Sequence, residues 1–311
     1  MKIFSWIIKD TTIDFLKGRK IGYVISALLI AASIASIAIK GFNYGIDFSG
    51  GVLIDVTSKN GPVNVDAIRD ELSSLKLDEL TLQSVGDSND KLMIRAQANN
   101  ADEESQRVAV NQIKEILGKD FTFDRIESVG PQVGEELKLD GILASVFACL
   151  AISLYVGIRF EWRFALGALI GLFHDIFITV GLLSMFHFEF SLTTIAAILT
   201  LAGYSVNDTV VTYDRIRENL QKFRKMPQYD LLNKSINDIF SRTILTSITT
   251  LLASLALLIF GGDALRSFAF VITVGVVVGT YSSIFVSVPV LNFFDLHKAM
   301  EEKDENPFGN V

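Results

Sequence analysis

The chain of 311 residues is poor in the residues that build several common kinds of site, with one cysteine and three histidines. Cys149 has no second cysteine with which to form a disulfide, and it does not identify a compartment. The histidines, at positions 174, 187 and 297, are scattered and form no metal-binding pattern, so we expect neither a metal nor a cofactor. The sequence also lacks a G-x-x-x-x-G-K-[ST] motif, so no ATP site can be argued.

Charge is absent from long stretches of the chain. Half of the residues are hydrophobic and the mean hydropathy is +0.41, which is too apolar for an ordinary soluble domain. Four uninterrupted apolar runs approach or exceed the ~20 residues that cross a membrane, and two more are interrupted only by acids. We therefore expect six transmembrane helices, the first of them retained rather than cleaved, near residues 21–39, 141–158, 164–186, 190–213, 243–262 and 267–294.

The distribution of lysine and arginine predicts the orientation in the membrane. Basic residues are concentrated before residue 21, at 159–163 and in 213–242, and they are scarce in the intervening short loops. The positive-inside rule therefore places both termini in the cytoplasm. It divides the chain into residues 1–40 with the first helix, an external domain at 41–139, and helices two to six in 140–311 with a cytoplasmic loop at 213–242 and a cytoplasmic tail.

The external domain reads as a small soluble module. It has 18 acidic and 10 basic residues, a net charge of −8, so nucleic acid is not an expected partner. Alternating and helical apolar patterns predict the order βαββαβ, which is the ferredoxin-like arrangement. One face of such a sheet stays free for a partner, although a simple spacer is the alternative. The predicted elements are 52–57, 63–77, 80–85, 92–96, 102–117 and 121–129, with a turn at 86–90.

Glycines flank this module on both sides. Gly50 and Gly51 follow the first helix, and Gly130 and Gly134 precede the second. Glycine permits a positive φ and close backbone approach, so these positions are candidate hinges on which the module swings. The simpler alternative is that they are only linkers.

Two acids lie inside apolar spans, where an aspartate costs about 2.5–3.5 kcal/mol at a helix centre. Asp208 is the main candidate for proton or ion coupling, and Arg242 at the start of the fifth span is expected at a similar depth, so that the two can pair. A static salt bridge is the alternative. Asp175, beside His174, is the second candidate, although a structural role fits the sequence equally well. Four further polar residues are expected to support the site: Ser205, Asn207, Thr209 and Thr246.

Five segments of the chain resemble the SecF members of the SecD/SecF family of protein-export membrane subunits, within the resistance-nodulation-division superfamily. They are FNYGIDFSGG (42–51), SVGPQVGEEL (128–137), the HD pair at 174–175, GYSVNDTVVTYDRIRENL (203–220) and SRTILTSITTLL (241–252). The resemblance implies an α-helical polytopic membrane protein, half of a transporter-type bundle of six helices per half, with Asp208 and Arg242 matching functional positions of the family.

The resemblance also implies a function and partners. The expected function is auxiliary and not enzymatic: with a SecD-like subunit, the protein uses the proton motive force to promote export of polypeptides across the bacterial inner membrane. The SecYEG channel, YajC, the exported polypeptides and membrane lipid are the other implied partners. The coupling ion, H⁺ or Na⁺, is left open.

Two other kinds of function remain alternatives. The first is a half-transporter of the same superfamily for a small hydrophobic or lipid substrate, although such proteins usually have larger external domains. The second is an intramembrane enzyme, in which Asp175 and Asp208 would imitate an aspartyl dyad. Their different expected depths in the membrane argue against it.

The predicted topology can be tested by cysteine labelling. In a background lacking Cys149, we expect single cysteines placed at Asn60 and at Lys225 to react with an impermeant reagent from opposite sides of the membrane. Labelling of both positions from the same side would contradict the orientation.

Overall fold

The structure, a computed structural model, describes residues 11–75, 77, 79–85, 89–97 and 103–297. Residues 1–10, much of the predicted turn 86–90, the first residue of the helix predicted at 102–117, and the tail from 298 lie outside this description. The chain forms two compact units, a membrane unit (1–42, 145–188 and 193–311) and a module (43–144 with 189–192).

The elements follow one another along the chain as long helices interrupted by one α+β segment. In chain order they are α1 (Arg19–Lys40), β1 (Asn43–Tyr44), α2 (Ile46–Ser49), β2 (Gly51–Ser58), α3 (Val65–Ser73), β3 (Glu79–Val85), β4 (Lys91–Gln97), α4 (Glu103–Leu117), β5 (Phe121–Val129), α5 (Pro131–Arg159), α6 (Trp162–Met185), β6 (Glu189–Phe190), α7 (Leu192–Lys222), α8 (Gln228–Phe260), α9 (Asp263–Ser282) and α10 (Val288–Leu291).

The expectation of six helices able to cross a membrane is confirmed for the described residues, by length and composition. Five of them are α1, α5, α6, α7 and α8. The sixth is α9, which continues through a π-helical segment at Ser283–Ser287 into α10, where Pro289 lies in the first turn. The π segment widens the helix just ahead of a proline that cannot donate a backbone hydrogen bond.

The helices extend beyond the apolar runs that predicted them. Residues 213–242, expected as a loop, are helical up to Lys222 and again from Gln228, so the non-helical connection is only 223–227. Hydropathy marks where side chains leave hydrocarbon, whereas the backbone hydrogen bonds of a helix can continue into water. For the same reason α5 begins at Pro131, ten residues before its apolar run.

Helix α1 has small and polar residues on its buried side and large apolar residues on its exposed side. The buried residues of α1 are Gly22, Ser26, Ser33 and Ser36, whereas Ile21, Leu28 and Ile39 of the same helix are exposed. Since lipid tails are as apolar as isoleucine, such side chains gain nothing by turning inward, and small residues let helices approach closely. This inversion is what brings polar groups of α1, α6, α7 and α9 together.

The module confirms the predicted ferredoxin-like order. Strands β3, β4, β2 and β5 form one antiparallel sheet in that order, and Ile54 of β2 pairs with Ile94 of β4 and Ile126 of β5. Ile54 and Ile94 are fully buried with Leu72 of α3 and Ile113 of α4. A separate parallel pair joins β1 to β6, so the residues just before α7 belong to this module.

Close contact between α1 and α6 predicts a stability effect at Gly181. A Cβ added there would overlap the Cβ and Oγ of Ser33, whereas none would meet an atom at Gly203 of α7. Alanine at either position gains helix propensity of about 1 kcal/mol over glycine. We therefore expect Gly181→Ala to lower the thermal unfolding temperature in detergent by several degrees, and the control Gly203→Ala to leave it unchanged or raise it. Equal behaviour of the two variants would contradict this packing.

Candidate functional site

Asp175 lies near the middle of α6 and is fully buried. Its Oδ2 accepts hydrogen bonds from the Ser205 hydroxyl of α7 (2.6 Å) and the Ser282 hydroxyl of α9 (2.7 Å). Its Oδ1 is 2.9 Å from Nδ1 of His174. Three polar groups from three helices therefore surround one carboxyl group, and both of its oxygens have hydrogen-bond partners in an apolar medium.

His174 extends this arrangement to α1. The sequence left open whether the two neighbours touch, since successive side chains on a helix point about 100° apart, and in the structure they do. The other ring nitrogen, Nε2, lies 3.0 Å from the hydroxyl of Ser26. That hydroxyl lies 3.0 Å from the hydroxyl of Tyr281 in α9, which in turn donates to the carbonyl of Gly22. The result is a continuous chain of polar groups inside the bundle.

Asp208 of α7 is in a different situation. Its Oδ1 accepts one hydrogen bond, from the Thr243 hydroxyl of α8 at 3.0 Å. Its Oδ2 is buried and accepts no hydrogen bond within the described part of the chain. A carboxylate with an unsatisfied buried oxygen is unstable relative to its protonated or cation-bound form. Of the two intramembrane acids, Asp208 is thus the one with an unsatisfied oxygen among the described residues.

Arg242 lies immediately before Thr243 on α8 and is exposed. No ion pair joins it to Asp208 in this arrangement of the described residues, and the hydrogen bond from α8 to Asp208 comes from Thr243 instead. The hydroxyl of Thr246 donates to the carbonyls of Arg242 and Thr243 and so bonds back to its own helix. The role of Arg242 in coupling stays a prediction.

The remaining predicted polar residues divide between the two acids. Ser205 belongs to Asp175 rather than to Asp208, Thr209 is buried, and Asn207 is exposed. Sequence reasoning missed four hydroxyl-bearing residues that complete the two sites: Ser26, Thr243, Tyr281 and Ser282. A stripe of small residues on α1 marks the buried position of Ser26, but only the packing of helices shows which acid each hydroxyl meets.

Glycines allow the helices to approach around these groups. A Cβ added at Gly275 would overlap the side chain of Leu201, and one at Gly279 would touch Ser205 and the Asp175 carboxyl. At Gly167 and Gly171 it would meet the Tyr213 hydroxyl and the Ser287 side chain. At Gly167, Gly171 and Gly275 the lack of a side chain thus permits close helix crossings.

The candidate hinge glycines have different surroundings. Gly50 and Gly51 have positive φ values of 71° and 111°, a conformation that glycine adopts most readily. Gly130 has open space around it, whereas Gly134 lies within α5, close to the backbone of Phe48 and Gly50. Gly134 is thus explained by close packing, and a hinge motion at the four positions stays a prediction.

The same part of the module contains a cluster of charges. Asp47 accepts a hydrogen bond from the backbone N–H of Leu192, the first residue of α7, at 2.9 Å. Glu189 lies 3.3 Å from Arg95. Burial raises the pKa of the Glu189 carboxyl, the Arg95 guanidinium partly opposes this shift, and the charge of Asp47 adds to it. Gly45 is required beside this carboxyl, because an added Cβ would overlap it.

Comparison with known proteins gives a consistent relationship. The family model described as "Protein export membrane protein SecD/SecF, C-terminal" matches residues 109–297, and the "SecD/SecF GG Motif" model matches residues 35–61. A protein named protein translocase subunit SecF from Rickettsia rickettsii is 46% identical, over 90% of this chain and 91% of its own. A protein of the same name from Cereibacter sphaeroides is 41% identical over 97% of each chain.

Two solved structures are similar in fold. The crystal structure of SecDF, a translocon-associated membrane protein from Thermus thermophilus, has a TM-score of 0.81 and 37% identity and covers 91% of this chain. A structure of SecDF in its super-membrane-facing form has a TM-score of 0.67 and 36% identity and covers 96%. This chain spans only 39% and 41% of those two chains.

The raised pKa of Glu189 predicts a pH dependence in the module. A carboxyl whose folded pKa is raised contributes stability that is present below its unfolded pKa and is lost as pH rises through the folded pKa. We therefore expect Glu189→Gln to slow local opening of the β1–β6 pair at pH 7, by up to about 1 kcal/mol, and to have little effect near pH 4.

Amide hydrogen exchange at Tyr44 and Phe190 in the full chain measures this opening. Glu104→Gln, at an exposed acid of α4, is the control and should change nothing. An effect of Glu189→Gln that is equal at the two pH values would indicate a change in packing rather than in ionisation.

Proposed function

Because this chain belongs to the SecD/SecF family of protein-export membrane proteins, we propose that it is the SecF subunit of a bacterial protein translocase. Its role is transport rather than catalysis: it uses an ion gradient to promote movement of polypeptides across the membrane. One charge moved across 100 mV releases about 2.3 kcal/mol, which is available to any group that binds an ion on one side and releases it on the other.

The subunit works with a SecD-like partner. The SecDF chains are more than twice as long as this one, and this chain corresponds to about two fifths of them. The SecD-like partner would correspond to the part of the SecDF chains that this chain does not match. The weakly buried helices α5 and α8 offer apolar surface to a partner or to lipid. We further propose the SecYEG channel, YajC and the exported polypeptide as contacts, and the inner membrane, with both termini cytoplasmic, as the location.

Asp208 is the observation on which the coupling mechanism rests. One of its carboxylate oxygens is buried without a hydrogen-bond donor in the described chain, and the other accepts a single threonine hydroxyl. Binding of a proton removes the unsatisfied charge, and its loss restores a charge that attracts Arg242 on α8. Asp208 with a bound ion then favours one arrangement of α7 and α8, and charged Asp208 paired with Arg242 favours another.

The half-transporter for a small apolar substrate is the second candidate, and no observation favours it. The module of about one hundred residues has a compact core of its own, and the relatives carry the name of a protein translocase subunit.

The coupling role of Asp208 can be tested by substitution. Asn keeps the shape of the protonated acid but cannot release a proton, so we expect Asp208→Asn to abolish both gradient-dependent stimulation of export and proton flux in reconstituted vesicles. Asp214→Asn is a matched control on the same helix, since the Asp214 side chain is partly exposed and pairs with Arg159 at 2.9 Å. It should retain more than half of both activities because surface ion pairs contribute little.

Arg242 is tested in the same assays. Arg242→Gln alone should be as damaging as Asp208→Asn, and the double variant should be inactive as well. Full export by the double variant would mean that the two residues serve only to balance one another's charge. The ion-coupling role would then have to be assigned to another residue.

A further inference from the structure

The row of hydrogen-bonded polar groups that ends at Asp175 can only accept hydrogen bonds at each of its two ends. At one end is the backbone carbonyl of Gly22 in α1, and at the other is the carboxylate of Asp175 in α6. Between them lie Tyr281, Ser26 and His174, joined by contacts of 3.0, 3.0 and 2.9 Å on the way to Asp175. The whole chain therefore has four links, each of which needs one hydrogen atom.

The hydrogens available do not fill four links when histidine is neutral. Tyr281, Ser26 and a neutral imidazole each supply one hydrogen, so one link remains empty. A fourth hydrogen fills it in either of two ways. His174 can be an imidazolium that donates through both nitrogens, or Asp175 can be protonated and donate to Nδ1 while Nε2 donates to Ser26. Both forms contain the same number of protons.

We propose that His174 and Asp175 together form a proton-binding site, separate from Asp208, that holds one proton shared between them in this arrangement. The ligand is a proton taken from water and returned to it, so no other reactant is needed. The proposal deepens the proposed function, and it rests on that function only for its use in transport. The geometry assigns the site by itself.

Loss of the proton has a defined structural effect. The remaining imidazole hydrogen stays on Nδ1, facing the carboxylate, and Nε2 then accepts the hydrogen of Ser26. Tyr281 keeps one hydrogen for two acceptors, Gly22 and Ser26, which both belong to α1. Whichever acceptor Tyr281 chooses, one hydrogen bond between α9 and α1 is lost. Binding of the proton by His174 and Asp175 on α6 therefore strengthens the contact between α9 and α1.

In the residues that the structure describes, no lysine or arginine forms an ion pair with Asp175, which pairs with His174. The pair is faced from α1 by Ser26, from α9 by Tyr281 and Ser282, and from α7 by Ser205.

Nitrogen NMR of the histidine rings tests the proposal directly. The chain has three histidines, so His187→Gln and His297→Gln assign the signal of His174 in the full chain, with its partner, in lipid nanodiscs. We expect Nε2 of His174 to carry a hydrogen at pH 7, because it does so in both proton-sharing forms. A bare Nε2 with hydrogen only on Nδ1 would overturn the proposal.

Tyr281→Phe separates a shared proton from a histidine that is merely buried. The variant keeps the ring but removes the links of Tyr281 to Gly22 and to Ser26, together with one hydrogen. The hydrogens of Ser26 and of a neutral His174 are then enough for the two links that remain. We expect Nε2 to lose its hydrogen at least about one pH unit lower, which is tenfold weaker proton binding. Tyr204→Phe is the control, since that hydroxyl contacts Ser247 outside the chain of polar groups. An unchanged titration in Tyr281→Phe would overturn the link to α1 and α9.

Asp175→Asn gives the third readout. The Asn amide can donate to Nδ1 without any charge, so all four links are filled by a neutral histidine. We expect Nε2 to stay protonated from pH 5 to pH 9 without a titration step, and a remaining step would overturn the sharing. These signals do not depend on export activity. Failure of the Asp208 experiment would therefore leave them unchanged, and failure here would leave the role of Asp208 intact.

Discussion

Hydrocarbon offers no hydrogen bonds, and this constraint arranges the interior of the membrane unit. Every polar group in a span has to find its partner on another helix or on its own backbone. The buried Ser205 and Ser282 donate to the buried Asp175 from two helices, and the buried Ser26 of a third helix lies against His174. The close crossings at glycine follow from this, because short side chains such as serine reach a carboxyl group only when the helix backbones are near.

The two buried acids meet the constraint in different ways. Asp175 has three hydrogen-bond partners, two serine hydroxyls and the adjoining histidine, so both of its carboxyl oxygens are satisfied. Asp208 has one donor and one orphaned oxygen. The bundle therefore contains one acid whose two oxygens both have partners and one acid with an oxygen that has none among the described residues.

The sequence predicts the elements well and the contacts poorly. Length and hydropathy are enough to predict the six spans, and alternation of apolar residues is enough to predict the order of elements in the module. The N-terminal cap of α3, in which the Asn64 side chain accepts from the N–H groups of Asp66 and Ala67, also follows from local rules. Helix ends that lie beyond the bilayer, such as the end of α7 at Lys222, cannot be predicted in this way, because hydropathy does not show where a helix ends in water. The assignment of Ser205 to Asp175 rather than to Asp208 depends on how α6, α7 and α9 pack, which no local pattern encodes.

The start of α7 shows how the module and an intramembrane acid are connected through one element. Leu192 belongs to the module and its N–H is capped by Asp47, whereas Asp208 lies sixteen residues further along the same helix, about 24 Å at 1.5 Å per residue. A helix transmits axial displacement because its own hydrogen bonds resist extension. The Asp47 cap, a charge-assisted hydrogen bond of about 1.5–3 kcal/mol, therefore fixes the N-terminal end of the helix that carries Asp208.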